Sequence, residues 1–67
     1  MMNQYKLIHT IRNWNISISD TDIKVDDGFI SYYMNKRKAW DNFYPIPKDV
    51  VKWCETKGYQ MLNQEER

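Results

Sequence analysis

The sequence predicts an α+β domain: an antiparallel β-meander of four or five strands, followed by one C-terminal helix packed on a face of the sheet. Three observations carry this prediction. Trp14-Asn15-Ile16-Ser17-Ile18-Ser19 alternates apolar and polar residues without a break, which is the two-residue period of a half-buried strand. Asp27-Gly28 lies between two runs rich in strand-forming residues and can supply the positive φ angles of a two-residue hairpin turn. The stretch from Pro47 to Gly58 is punctuated as a helix, with proline at its start, Asp49 in the first turn, Lys57 in the last turn and glycine after it.

In chain order, the first dozen residues fit two templates. Leu7, Ile8, Ile11 and Trp14 recur at helical spacing, whereas Tyr5, Leu7 and Ile11 share one face of a strand. The β-branched Ile8, Thr10 and Ile11 favour a strand that turns near Arg12-Asn13. Trp14, Ile16 and Ile18 then face inward on the next strand. Asp20-Thr21-Asp22 has the short polar side chains of a turn, and Ile23 and Val25 are the apolar positions of the strand after it. A tight turn at Asp27-Gly28 pairs Asp26 with Phe29, Val25 with Ile30, Lys24 with Ser31 and Ile23 with Tyr32. A second hairpin through Asn35-Lys36-Arg37-Lys38 pairs Met34 with Ala39 and Tyr33 with Trp40, and the last strand runs from Ala39 to Tyr44.

Tyr44-Pro45-Ile46-Pro47 ends the sheet, because proline has no N–H for a ladder and restricts the residue before it. The helix is predicted over Pro47 to Lys57, with Val50, Val51 and Cys54 as its apolar stripe, Trp53 widening that stripe and Gly58 as a left-handed cap. Tyr59 would fold back on the last turn. Residues 1–67 form a single domain whose last residues, 63–67, read as a frayed tail. The expected core sets Trp14, Ile16, Ile18, Ile23, Val25, Ile30, Met34 and Phe43 against Val50, Val51 and Cys54.

A chain of 67 residues buries only about 60% of the surface its unfolded form exposes, so its core must be built from large side chains. Ten residues are Phe, Trp or Tyr, each able to bury ~150–250 Å², which is enough to favour a folded domain over a disordered chain. A formal net charge of +1 speaks against a generic polyanion binder, so any nucleic-acid contact has to be local. Cys54 is the single cysteine, which excludes an intramolecular disulfide and suits a reducing compartment. With no signal-peptide pattern and no apolar run of membrane-spanning length, the expected location is cytoplasmic. The match of Asn15-Ile16-Ser17 to a glycosylation acceptor then reads as chance.

The predicted register places Phe29, Tyr33, Trp40 and Tyr44 on one side of the sheet, with Ser31 and Asn42 between them. Aromatic anchors among polar groups are the makings of a protein-contact hot spot, and the same rings would also form a platform for stacking bases of single-stranded nucleic acid. Alternatively, residues 1–13 or a second copy of the chain cover this face. Lys36, Arg37 and Lys38 form a basic hairpin tip beside the rings, which would meet phosphate or an acidic partner, or simply lie in solvent with Asp20 and Asp22 nearby.

The acids Asp20, Asp22, Asp26 and Asp27 lack the alternating spacing and distal glutamate of a calcium loop. His9 and Cys54 lack the glycine-rich oxyanion loop or nucleophile elbow of covalent catalysis and are too few soft ligands for zinc. The sequence thus predicts no catalytic residue, no metal and no cofactor. It predicts a small protein-binding module, an inhibitor or accessory subunit, acting through Phe29, Tyr33, Trp40 and Tyr44 with Lys36, Arg37 and Lys38. A single-stranded nucleic-acid binder and a structural homodimer are the alternatives. Size and the Asn-, Ile- and Lys-rich composition would suit a phage or mobile-element protein.

Overall fold

The computed structural model describes residues 4–41 and 45–64. Four strands, β1 (Lys6–Ile11), β2 (Trp14–Ile18), β3 (Asp22–Asp26) and β4 (Ser31–Asn35), form one antiparallel sheet in the order β1-β2-β3-β4. One continuous helix follows, made of α1 (Lys48–Trp53), a π-helical stretch (Cys54–Gly58) and α2 (Tyr59–Gln64). The α+β meander expected from the alternation is the fold observed.

β1 and β2 are joined by the two-residue turn Arg12-Asn13, in which Arg12 adopts a φ of 54° and Ile11 pairs with Trp14. The pairing then slips: His9 lies opposite Ile16 but Leu7 lies opposite Ser17, so Ile8 is the extra residue of a β-bulge. The bulge moves the apolar side of β1 from one face to the other. His9 and Ile11 join the helix side, Ile8 packs against the core, and Leu7 stays on the outer face, 59% exposed. A strand with a changing face explains why its sequence matches no single period.

The core lies between the sheet and the helix. Ile16, Ile23, Val25 and Met34 from the strands and Val50, Cys54 and Leu62 from the helix are fully buried, each contributing on the order of 1.5–3 kcal/mol for its apolar side chain where that is large. Trp14, Ile18 and Val51 pack at the margin, as does Trp53, whose ring stacks on His9 at 4.2 Å and 6°. Tyr32, Ile46 and Leu62 complete the core, although the sequence pattern did not place them there. Ile30, expected inside, is 55% exposed in a loop. Phe43 lies outside the described residues.

The helix departs from expectation at both ends. Pro47 is the residue before the helix, with φ −55° and ψ 144°, rather than its first residue. Gly58 does not cap the helix; it is buried within it, and a Cβ there would lie 3.0 Å from Ile23 Cδ1 and 3.2 Å from the Trp53 ring. A side chain at this position would crowd Ile23 and Trp53, so glycine suits the close approach of helix to sheet, and the chain remains helical through Gln64 because Leu62 adds another turn of apolar contact. Tyr59 belongs to that extra turn and does not fold back on the preceding one.

Candidate protein-contact site

The turn at Asp27-Gly28 is wider than predicted. Asp26 pairs with Ser31, Val25 with Tyr32, Lys24 with Tyr33 and Ile23 with Met34, which leaves a four-residue loop of Asp27, Gly28, Phe29 and Ile30. Aspartate side chains are the cause. Asp27 Oδ1 accepts hydrogen bonds from the backbone N–H of Phe29 (3.0 Å) and Ile30 (3.1 Å), and Asp26 Oδ1 accepts one from Gly28 N–H (3.1 Å). Gly28 takes a φ of 97°. These carboxylates capture donors that a two-residue turn would send across the hairpin. The N–H groups of Ile30 and Phe29 in turn hold the Asp27 carboxyl below its ordinary pKa, so it remains ionised at neutral pH.

The wider loop carries the register two residues along, which preserves which side each β4 residue faces. Tyr32 and Met34 enter the core opposite Val25 and Ile23, and the Tyr32 ring lies 6.3 Å from that of Trp14. Phe29 leaves the sheet altogether. It stands at the loop tip, 93% exposed, beside the half-exposed Ile30.

Tyr33 faces outward with Lys24, as the alternation requires, and is partly covered by the N-terminal segment. The Tyr5 ring lies 6.0 Å from that of Tyr33, with Lys24 Nζ 5.0 Å from the Tyr5 ring centre. Tyr5 donates its phenolic hydrogen to Asp22 Oδ1 at 2.7 Å, and the same oxygen accepts from Ser19 Oγ at 2.8 Å. Burial, reinforced by Asp22, pushes the Tyr5 hydroxyl up to about 12. Of the two ways of covering this face, the first residues of the chain supply one, over Tyr33 alone.

Trp40 is a correction to the expected platform. Asn35 Oδ1 accepts from the backbone N–H of Arg37 (2.8 Å) and Ala39 (3.2 Å), Asn35 N–H donates to the Ala39 carbonyl, and Lys38 adopts a φ of 62°. The loop is therefore three residues, Lys36, Arg37 and Lys38, and Trp40 pairs with Met34 rather than with Tyr33. An odd shift of one position turns Trp40 to the helix side, where it packs against the core and donates Nε1–H to Glu55 Oε2 at 3.0 Å. Asp41 takes the position opposite Tyr33, accepting its N–H through Oδ1 and donating its own N–H to the Tyr33 carbonyl.

The basic tip is likewise anchored to the helix. Tyr59 donates its hydroxyl to the Lys36 carbonyl at 2.8 Å, and Lys38 Nζ lies 4.6 Å from the Tyr59 ring centre. The residues expected to act as one face thus occupy three places: Phe29 at one end of the sheet, Tyr33 on the outer face, and Trp40 on the helix side with Lys36, Arg37 and Lys38 at the far end. Tyr44 lies outside the described residues. Ile30 is the member of the exposed tip that sequence reasoning assigned to the core. The signal for it was the second carboxylate before Gly28, which offers the loop a competing set of hydrogen bonds.

Two open hollows flank the far end of the sheet, one of about 500 Å³ lined by Tyr5, Ser19 and Asp20 and one of about 340 Å³ lined by Tyr33, Trp40 and Asp41. Neither contains Cys54, which is fully buried, with burial pushing its thiol up to about 12, the state of a packing residue and not of a nucleophile. Among the described residues, no three His, Cys, Asp or Glu side chains gather as a metal site. No helix is long and apolar enough to cross a membrane among those residues. Comparison of the chain with protein-family models, curated proteins and solved structures finds no match.

Proposed function

We propose that this chain is a small protein-binding module, an inhibitor or accessory subunit, whose contact surface is centred on the Phe29-Ile30 loop. The observation that carries this reading is a 93% exposed phenylalanine on a loop held by three side-chain-to-backbone hydrogen bonds. A small domain gains roughly 1.5–3 kcal/mol by burying a phenylalanine, and this one leaves the ring in solvent while ordering the loop beneath it. Ordering before contact lowers the entropy cost of association, and an aromatic anchor ringed by polar groups is the usual centre of a protein interface. Action by contact needs no cofactor, and a cytoplasmic setting suits a free buried thiol.

The nucleic-acid alternative draws less support, since it needs Lys36, Arg37 and Lys38 beside exposed stacking rings, whereas Phe29 lies at the other end of the sheet and Trp40, though next to the basic loop, packs against the core. Affinity capture from the native extract tests the proposal. Wild type retains a partner that Phe29→Ala releases, while both proteins unfold at the same urea concentration. Equal capture by the two would remove the loop from the interface, and concentration-dependent sedimentation of the pure chain would replace a foreign partner with a second copy.

A further inference from the structure

We infer that the partner presents an apolar pocket rimmed by lysine or arginine, with Phe29 entering the pocket and Asp26 and Asp27 meeting the rim. This rests on the reading of the Phe29-Ile30 loop as the contact surface and names the chemistry that would recognise it. Asp26 and Asp27 come just before the exposed ring in sequence, separated from it by Gly28, and both are half-exposed. Each uses Oδ1 to brace the loop. Neither is paired with a lysine or arginine among the described residues, where the ion pair is that of Arg12 with Asp49. Arg12, the cation of the neighbouring β1–β2 turn, is thereby committed to the helix: its two terminal nitrogens donate to the two Asp49 oxygens at 2.7 and 2.9 Å.

The loop thus offers a large apolar group together with two negative charges that no lysine or arginine among the described residues pairs with. A neutral apolar pocket would have to desolvate those carboxylates without return, and an acidic one would repel them. A cationic rim instead gains charge-assisted hydrogen bonds and speeds encounter. The same carboxylates would be repelled by an anionic lipid surface, which disfavours it as the target of this exposed ring.

The experiment uses the full chain with Phe29 replaced by a photo-crosslinking phenylalanine analogue, irradiated in extract of the cells that express it, followed by sequencing of the crosslinked peptide. The expected result is one dominant protein, attached through an apolar residue on a surface bearing lysine or arginine, with a yield that falls as salt is added. Asp26→Asn with Asp27→Asn keeps the Oδ1 acceptors and removes the charges. It should cut the yield several-fold and abolish its salt dependence. An unchanged yield in that variant would overturn the basic rim while leaving the contact reading intact. Crosslinks scattered over many proteins, to lipid, or to a second copy of this chain would overturn both.

Discussion

Trp40 donates its indole N–H to the Glu55 carboxylate across the gap between the sheet and the helix, at 3.0 Å. The bond fixes the chain just after the basic loop and places a large half-buried ring against the core. Trp40 is therefore a stability residue. Trp40→Ala should cost about 2–4 kcal/mol in urea unfolding, and Trp40→Phe, which keeps most of the ring but loses the donor, about 1 kcal/mol. A variant that unfolds like wild type would return Trp40 to the surface.

Gly58 faces Ile23 where the helix closely approaches the sheet. Alanine normally gains up to about 1 kcal/mol over glycine inside a helix, but here its Cβ would crowd Ile23 Cδ1 at 3.0 Å. Ile23→Val removes that methyl and alone should cost about 0.5–1.5 kcal/mol. A double-mutant cycle checks the relationship. Gly58→Ala should be clearly more favourable in the Ile23→Val background than in wild type, and simple additivity would show that the helix shifts to accommodate the methyl.

Tyr5 should ionise above the ordinary tyrosine range. Its folded pKa is raised to about 12 from an ordinary 10.0, so the folded chain holds this proton more tightly than the unfolded chain between those values. The contribution of its bond to Asp22 is fully present below pH 10 and lost as pH rises through the folded value. Phenolate absorbance followed against pH should lose the component that titrates near 12 in Tyr5→Phe, and that variant should also leave Tyr33 more accessible to nitration.

Asp27 works in the opposite direction. Its carboxyl is held below the ordinary 3.8 by the N–H groups of Ile30 and Phe29, so the folded chain binds that proton less tightly than the unfolded chain. The stabilisation is present above the unfolded value and lost as pH falls through the folded one. Unfolding free energy measured on the acid side should decline less steeply for Asp27→Asn than for wild type. Asp49, lowered by Arg12, continues to supply its own share in both proteins.

Strict alternation made β2, β3 and the side of Tyr33 legible, because a two-residue period allows one choice of buried face. Turn chemistry was harder to read. Asp27-Gly28 marked the reversal correctly, yet a competing carboxylate widened it by two residues and cost Ile30 its place in the core, while Tyr33 kept its side because the shift was even. At Asn35 a similar side-chain capture shifted the pairing by one, and Trp40 changed sides. The bulge at Ile8 blurred the period of β1. Gly58 looked like a stop because glycine after a lysine usually is one; its reason, a close approach to Ile23, exists only once the sheet is in place.

The most direct test of the contact surface is Phe29→Ala, with the urea midpoint and partner capture measured on the same preparation. The midpoint should be unchanged, since the ring is 93% exposed, and the captured protein should be lost. A lowered midpoint with capture intact would contradict this reading.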